Sequence, residues 1–527
     1  MKCCFSWTIL GLLASGVGGC GGGPTAVPTL TPTPAVASLP AGAYEPGEPG
    51  TWTEARCPFV LPEEFEEGTE VNCGFLSVAE HQPDLATAAR GRVLMLAVAI
   101  FHPPGGASNP DPVIYLSGGP GSSTLEMLRY ATQETLAPVF STGRDLVFFD
   151  QRGVGRSRPA LDCPALDALG WELLDDTIDG RAVAPEEAAG LVVASLRECH
   201  QELSGVADLT AYNSVASAHD VEALRVALGV DQINLWGGSY GTRLALEVMR
   251  QHPQAIRSVV LEAVYPPQVD LIVDSPGNFA RALDRLFEAC AANAVCNTNY
   301  PDLPAVLDET VKRFNEQPVM REVVDPFSGE RTSTWMNGDT LLSLTLQLLY
   351  DSQLRYLLPQ QIHAAHEGSF AAFDLARFSL LRLSNSFSRG MMLSVLCHDE
   401  LPFSSQDAFE RQLAEHPRVA GVLSDSIAGG LAFRVCAEWG AGQADAAANE
   451  PVVSDIPTLL LTGEFDPITP PDWGRQAAST LSRSFFFEFP GVGHGAVGRA
   501  TCPDQMFSAF LEDPAQAPDD ACIEGMR

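Results

Sequence analysis

The chain has 527 residues, of which 46% are hydrophobic and 19% are charged, so it is long enough to bury a large core. Its 66 acidic residues outnumber the 32 basic ones, and the formal net charge is −34 at pH 7. A surface this acidic repels phosphate groups, which excludes nucleic acids and anionic lipid surfaces as expected partners.

The first 20 residues predict a signal peptide of the lipoprotein type. Lys2 precedes an apolar stretch over residues 5–17, which is too short to span a bilayer. Residues 17–20 resemble a bacterial lipobox, in which Cys20 would be lipidated and become the mature N-terminus. The alternative is an ordinary cleaved signal with Cys20 left free. Either way we expect export, with the protein lipid-anchored in the bacterial cell envelope or otherwise secreted.

Residues 21–50 are rich in Gly, Pro, Thr and Ala, which predicts a flexible tether without a core. Ten further cysteines follow the tether, and an even number in an exported chain favours disulfides over a metal site. Pairing along the chain is the simplest hypothesis, and it joins Cys57 to Cys73, Cys163 to Cys199, Cys290 to Cys296, Cys397 to Cys436, and Cys502 to Cys522. No zinc signature is present, and we expect neither a metal nor a cofactor.

Short apolar runs predict the first strands. Residues 71–78 and 92–100 are typical of an antiparallel ribbon, and residues 112–116 and 145–149 of buried strands. The glycine-rich stretch at 117–123 either forms a tight loop or presents backbone N–H groups to an anion.

The centre of the chain carries the strongest motif. Residues 232–236 predict a buried strand and residues 243–250 a helix, with the sequence GGSYG at 237–241 between them. This Gly-x-Ser-x-Gly turn could be purely structural, but in a strand–turn–helix context it exposes Ser239 as a nucleophile. The rest of the chain should then supply an acid, a histidine and an oxyanion hole.

Strands and helices alternate up to about residue 265, which predicts an α/β fold with a mostly parallel, doubly wound sheet. A strand at 257–261 follows the nucleophile helix. Helical patterns then dominate up to residue 455, at 278–292, 303–315, 339–350, 354–366 and 406–415. We therefore predict an α/β-hydrolase core at 51–265 and 456–527, interrupted by a helical cap at 266–455.

Two late strands, at 457–461 and 484–489, are followed by candidate catalytic side chains. Asp466 follows the first strand, with Glu464 as the nearby competitor, and His494 lies in a glycine-rich loop after the second. A single histidine is more often structural, but the order Ser239, Asp466, His494 is that of α/β-hydrolase triads.

Five motifs together resemble the α/β-hydrolase family of proline iminopeptidases and secreted tripeptidyl aminopeptidases, the latter branch more closely. They are GGPGSS at 118–123, DQRGVGRS at 150–157, GGSYGT at 237–242, GEFDPITPP at 463–471 and GVGHG at 491–495. Ser117 stands where proline iminopeptidases usually carry histidine, which weakens the transfer of strict proline specificity. The resemblance implies hydrolysis of an amide close to a free peptide N-terminus.

We therefore expect an exported serine exopeptidase that acts on peptides. Ser239 would be the nucleophile, His494 the general base, and Asp466 its orienting acid. The N–H groups of Gly119 and Tyr240 would form the oxyanion hole. A carboxylesterase or lipase would use the same triad, and the other class is a non-catalytic surface protein on a hydrolase scaffold.

An exopeptidase also needs carboxylates for the substrate ammonium group. Asp399 and Glu400 follow Cys397, and Glu438 follows Cys436, so a disulfide between these cysteines would bring the acids together. Glu438 is the preferred candidate because neighbouring Trp439 suggests partial burial. The alternative is that all three acids belong to the acidic solvated surface.

Overall fold

The computed structural model describes residues 45–81, 92–175, 177–178, 181–183, 185–325, 328–384 and 386–526. The predicted signal peptide, Cys20 and the first part of the predicted tether lie outside these residues. Among the residues described, no helix has the length and apolar character needed to cross a membrane.

Within the described residues, a nine-stranded sheet forms the centre of the molecule, and we number its strands β1–β9 along the chain. They are β1 Trp52–Glu54, β2 Val71–Ala79, β3 Val93–Phe101, β4 Val113–Leu116, β5 Leu146–Phe149, β6 Ile233–Gly238, β7 Ile256–Glu262, β8 Thr458–Gly463 and β9 Ser484–Phe489. The spatial order is β1-β2-β3-β5-β4-β6-β7-β8-β9. The first three strands pair antiparallel, and all pairs from β5 through β4 to β9 are parallel.

This arrangement confirms the prediction of a mostly parallel sheet with helices, and each predicted strand lies within a few residues of an observed one. The parallel strands could be recognised because they are covered on both faces and therefore consist of continuous apolar runs. Alternate residues of a strand enter different cores: Leu76 and Val78 pack in one hydrophobic cluster, and Phe75 packs in the other.

Five main helices of the core flank this sheet among the described residues: Gln133–Phe140, Ser214–Leu228, Tyr240–Gln251, Pro471–Ala478 and Thr501–Glu512. Two further helices, Pro164–Glu172 and Pro185–Ser204, pack against each other and against helices of residues 266–455. Because β4, β6, β7, β8 and β9 are parallel, the loops that follow them emerge at one edge of the sheet. This edge carries every residue of the predicted triad and oxyanion hole.

Residues 266–455, which we call the cap, connect β7 to β8 and are largely helical. The helices include Leu271–Ala292, Ala294–Asn299, Leu303–Glu316, Gly338–Tyr350, Leu358–His366, Ala371–Ser384, Arg389–Val395, Gln406–Glu415 and Gly430–Trp439. The first begins earlier than predicted because the Asp270 side chain accepts hydrogen bonds from the N–H groups of Ile272 and Val273. An antiparallel hairpin of Val319–Val324 and Arg331–Met336 was not predicted.

The described part of the chain contains five disulfides, and their pairing follows the chain as the simplest hypothesis had it. Their Cα–Cα distances are between 5.0 and 5.6 Å, the usual range for a disulfide. The bridges Cys290–Cys296 and Cys397–Cys436 lie in the cap. Each of the five closes a local segment rather than joining the cap to the core.

Candidate active site

Ser239 occupies a sharp turn between β6 and the helix Tyr240–Gln251. Its backbone has φ +56° and ψ −124°, a conformation that is strained for a residue with a side chain. A Cβ on Gly241 would lie 1.9 Å from the carbonyl oxygen of Leu116, so only glycine permits the helix to approach β4 this closely. The Ser239 N–H donates to the carbonyl of Glu262 at 3.0 Å, which ties the turn to β7.

The glycine-rich loop after β4 lies directly against Ser239. An added Cβ on Gly118 would be 2.9 Å from the Ser239 Cβ, and Gly119 has φ +114°, a conformation that favours glycine. The N–H of Tyr240 belongs to the first turn of its helix, where backbone donors lack acceptors within the helix. Gly119 and Tyr240 thus lie on the two segments that adjoin Ser239.

Residues of the DQRGVGRS motif support this loop, a role that sequence reasoning missed. Gln151 donates its side-chain amide to the Ser117 carbonyl at 3.0 Å. The Asp150 carboxylate accepts from Ser123 Oγ and from the N–H groups of Leu125 and Arg156. Burial raises the pKa of Asp150 to about 6 despite these donors. The position of this motif directly after a predicted strand was the sequence signal that could have indicated its role near the site.

His494 and Asp466 are hydrogen-bonded to each other at the same edge of the sheet. His494 Nδ1 lies 2.8 Å from Asp466 Oδ2, and Asp466 is fully buried. Two backbone N–H groups, of Ile468 and Thr469, donate to the other carboxylate oxygen. The Thr469 hydroxyl also donates to Asp466 Oδ2 at 2.7 Å. Such a set of donors fixes the orientation of the buried carboxylate.

This pairing fixes the tautomer of the imidazole. Because Nδ1 carries the proton donated to Asp466, Nε2 of the neutral ring is the acceptor. Nε2 is buried, and within the described part of the chain it has no hydrogen-bond partner. A base held in this way is available to a nucleophile or to a substrate, and catalytic hydrogen bonds often shorten only when substrate is bound.

Glu464, the competing acid, has a different role. It pairs with Arg285, and its other carboxylate oxygen accepts from the Gly491 N–H at 3.0 Å. Glu464 therefore joins the acid loop to the histidine loop and to a cap helix, whereas Asp466 contacts the imidazole.

Two parts of the cap hold the catalytic loops, which sequence reasoning did not predict. The Tyr350 ring stacks on the His494 ring with a centroid distance of 4.1 Å, and its carbonyl accepts from the His494 N–H at 2.9 Å. On the helix Leu271–Ala292, Arg281 donates to the carbonyls of Glu464 and Asp466 at 2.9 and 2.5 Å. These partners are more than 100 residues apart in sequence, so no local pattern could reveal them.

Each of the three predicted amine-binding acids has a partner within the protein, contrary to the expectation built on the Cys397–Cys436 bridge. Asp399 is buried and accepts from the Ser214 N–H at 2.9 Å. Burial opposes its ionisation, but a hydrogen bond from His398 and the charge of Arg243 hold its pKa below the ordinary value. Glu400 is also buried and lies 2.9 Å from Arg243. These partners account for both acids without a substrate amine.

Glu438 departs furthest from the prediction. Its side chain is 53% exposed and forms an ion pair with Arg197 at 2.7 Å. Trp439 is buried as expected, with its indole N–H donating to Ser394. Successive helical residues point about 100° apart, so burial of Trp439 directs Glu438 to the solvent. The expectation of a partly buried Glu438 was wrong.

The sequence is similar to those of several known proteins. Residues 111–498 match the model of the alpha/beta hydrolase fold family. The chain is 26% identical to serine protease Hip1 of Mycobacterium tuberculosis, over 90% of this chain and 91% of that protein. It is 28% identical to tripeptidyl aminopeptidase of Streptomyces coelicolor over 42% of this chain and 39% of that protein. It is 26% identical to proline iminopeptidase of Xylella fastidiosa over 32% of this chain and 36% of that protein.

These matches confirm the resemblance drawn from the five motifs, and they support a hydrolase of the serine peptidase kind. The family match extends over more than half of the chain and includes the loops that carry Ser239, Asp466 and His494. The chain belongs to the alpha/beta hydrolase fold family.

Proposed function

We propose that this protein is an exported serine exopeptidase that releases short peptides or single residues from free peptide N-termini. The observation that carries the proposal is the hydrogen-bonded pair of Asp466 and His494, at the sheet edge where Ser239 lies on its strained turn. Among the described residues, His494 Nε2 has no hydrogen-bond partner. Relatives named serine protease, tripeptidyl aminopeptidase and proline iminopeptidase support a peptide as the substrate.

The reaction proceeds through an acyl-enzyme. Ser239 Oγ attacks the scissile carbonyl carbon while His494 Nε2 accepts the hydroxyl proton, and Asp466 stabilises the imidazolium that forms. The N–H groups of Gly119 and Tyr240 receive the oxyanion. His494 then gives its proton to the leaving amine as the C–N bond breaks. Water, deprotonated by the same histidine, attacks the ester and frees the N-terminal fragment together with Ser239.

Export is supported by the five disulfides, since such bridges persist in oxidising compartments. Lipidation of Cys20 remains a prediction. Ser117, the departure from proline iminopeptidases, donates its hydroxyl to the Ser122 carbonyl and thus helps to shape the glycine-rich loop. A substrate range wider than N-terminal proline is compatible with this substitution.

A panel of fluorogenic reporters tests the proposal. Peptides of one to four residues are offered with a free or an acylated N-terminus, beside a short acyl ester. We expect turnover of free peptides and little turnover of acylated ones. Turnover of the ester alone would favour a carboxylesterase or lipase instead.

Ser239→Ala is expected to abolish turnover and labelling by a fluorophosphonate probe, with unfolding unchanged. Ser204→Ala, on the exposed end of a core helix, is the control and should label normally. An active Ser239→Ala protein would contradict the assignment of the nucleophile. Absence of labelling in the wild type would support a non-catalytic binding protein.

A further inference from the structure

A buried carboxylate that the mechanism does not use connects the nucleophile strand to the loop that carries His494. Glu262 is the last residue of β7, and its side chain is 6% exposed. Its backbone pairs with Gly238 at the end of β6, immediately before Ser239. A carboxylate is costly to bury, so its partners at this position need an explanation.

Among the described residues, the hydrogen bonds to the Glu262 carboxylate come from the nucleophile strand and the histidine loop. One carboxylate oxygen accepts from the indole N–H of Trp236, in the nucleophile strand, at 2.8 Å. The other accepts from the N–H groups of Ala496 and Val497, in the loop that carries His494, at 2.8 and 3.0 Å. The Glu262 carbonyl accepts from the Ser239 N–H. A single residue therefore contacts the nucleophile, its strand and the histidine loop.

The Glu262 carboxylate is held by three donors, which are two consecutive backbone N–H groups and one indole N–H. Burial raises the pKa of Glu262, and the hydrogen bonds from Val497, Ala496 and Trp236 oppose that rise. A second carboxylate, Asp504, accepts from the Gly498 N–H further along the loop. Asp504 does not touch β6 or Ser239 in the hydrogen bonds described, so it cannot relate the base to the nucleophile.

We propose that Glu262 is a positioning residue, which sets the distance between His494 and Ser239 by binding the histidine loop to the nucleophile strand. The inference rests on the proposed function, because it takes Ser239 and His494 as the reacting pair. It adds a residue that lies outside all five motifs. Glu262 acts through its neighbours and does not touch the substrate.

The donor pattern makes glutamine a poor replacement despite its similar shape. An amide offers one acceptor oxygen, whereas Trp236 and the loop need acceptors on both sides. If the amide oxygen faces Ala496 and Val497, the amide N–H₂ meets the Trp236 N–H, and two donors oppose each other. Removing the indole N–H should therefore relieve the conflict and let the amide oxygen hold the loop.

The test measures kcat and KM for Glu262→Gln, Trp236→Phe and the double variant on the best free peptide of the panel. We expect Glu262→Gln to lower kcat about 10- to 100-fold with KM within about twofold, since small misplacements of a catalytic group act on the chemical step. Trp236→Phe alone should change kcat less than about threefold. The double variant should regain at least about fivefold over Glu262→Gln, as expected for coupled neighbours.

Asp111→Asn is the matched control. Asp111 is a mostly buried carboxylate at the opposite edge of the same sheet, and it accepts from Asn234 of β6 and from Arg144. It should lower the unfolding midpoint while kcat stays within about twofold, because its partners are far from the reacting groups. This separates positioning from a general loss of stability.

Two results would overturn the inference: a Glu262→Gln enzyme with wild-type kcat, or a double variant no better than Glu262→Gln. Should Glu262→Gln fail to fold, the double variant and the rate of fluorophosphonate labelling give the same comparison. Ser239→Ala is measured in parallel. If it remains active the proposed function fails, whereas an inactive Ser239→Ala beside a fully active Glu262→Gln rejects only the role of Glu262.

Discussion

The surroundings of an acidic side chain could be predicted from sequence in the loops at the carboxyl edge of the sheet, but not in the helical cap. Asp466 was predicted from its place after a strand, and it contacts His494 in a fully buried pair. Glu438 was predicted from a neighbouring cysteine and tryptophan, and the structure places it on a helix, exposed to solvent beside Arg197. Each acid lies next to a recognisable sequence feature, which is a strand end for Asp466 and a disulfide cysteine for Glu438. Only the strand end determines the direction of the acid.

The difference lies in what each landmark constrains. Parallel strands end at one edge, so a residue that follows a strand is directed to that edge by topology. A disulfide fixes the separation of two Cα atoms but leaves the orientation of neighbouring side chains to the helices that carry them. In this protein the catalytic loops are defined by strands, and the cap contributes supports such as Tyr350 and Arg281 that reach them from outside.

Among the following variants, we expect the largest fall in kcat when Asp466, the partner of His494, is replaced. Asp466→Asn retains the shape but disturbs the tautomer of His494, and we expect kcat to fall about 10³- to 10⁴-fold. Glu464→Gln, two residues away, should cost less than about tenfold, because Glu464 bonds to Arg285 and to a backbone N–H rather than to the imidazole. Steady-state kinetics on a free peptide measures both. The reverse ranking would make Glu464 the catalytic acid.

The support supplied by the cap is tested with Arg281→Met, which keeps the length of the side chain but removes its two hydrogen bonds to the acid loop. We expect kcat to fall about tenfold with little change in KM, since the loop that holds Asp466 becomes less well positioned. Arg285→Met, one turn further on the same helix and more exposed, is the control and should change kcat less than about threefold. Equal losses would remove the special role of Arg281.

Glu400, a buried acid of the cap, should make the free energy of unfolding depend on pH. Burial raises the pKa of Glu400 from 4.5 to about 7, although Arg243 opposes the rise. A raised pKa means that the folded state binds the proton more tightly than the unfolded state does. The stability that Glu400 contributes is therefore fully present below pH 4.5 and is lost as the pH rises to about 7.

Glu400→Gln should remove this dependence. Urea unfolding at several pH values between 4.5 and 7.5 should show the free energy of unfolding of the wild type falling by about 1 to 3 kcal/mol relative to the variant. Parallel curves for the two proteins would show that the protonation of Glu400 is the same in the folded and unfolded states.

The smallest effect is expected at the acid that the sequence favoured for amine binding. Glu438→Gln breaks an exposed ion pair, which is worth little, so KM for free peptides should stay within about 1.5-fold of the wild type. A blocked ester serves as the comparison substrate. A several-fold rise in KM for free peptides alone would restore Glu438 as the group that recognises the amine.

The sequence by itself determined eight of the nine described strands of the sheet, the turn at Ser239 and the order of the three catalytic residues, but it did not indicate the short strand Trp52–Glu54. These features depend on residues that are close in sequence. Apolar runs end in glycine-rich turns, and the conformation at Ser239 needs the small residues that surround it. The sequential cysteine pairing is also local, since the separations range from 6 to 39 residues.

Only the tertiary structure decided which side chains hold the catalytic residues in place. Tyr350 reaches His494 across 144 residues of sequence, and Arg281 reaches Asp466 across 185. Glu262 joins Trp236 to the loop after His494, although it reads in sequence as the polar end of a buried strand. The contacts of Tyr350 and Arg281 depend on how the cap folds back on the sheet and on which face of a helix turns inward. The spacing of neighbouring residues encodes neither of these.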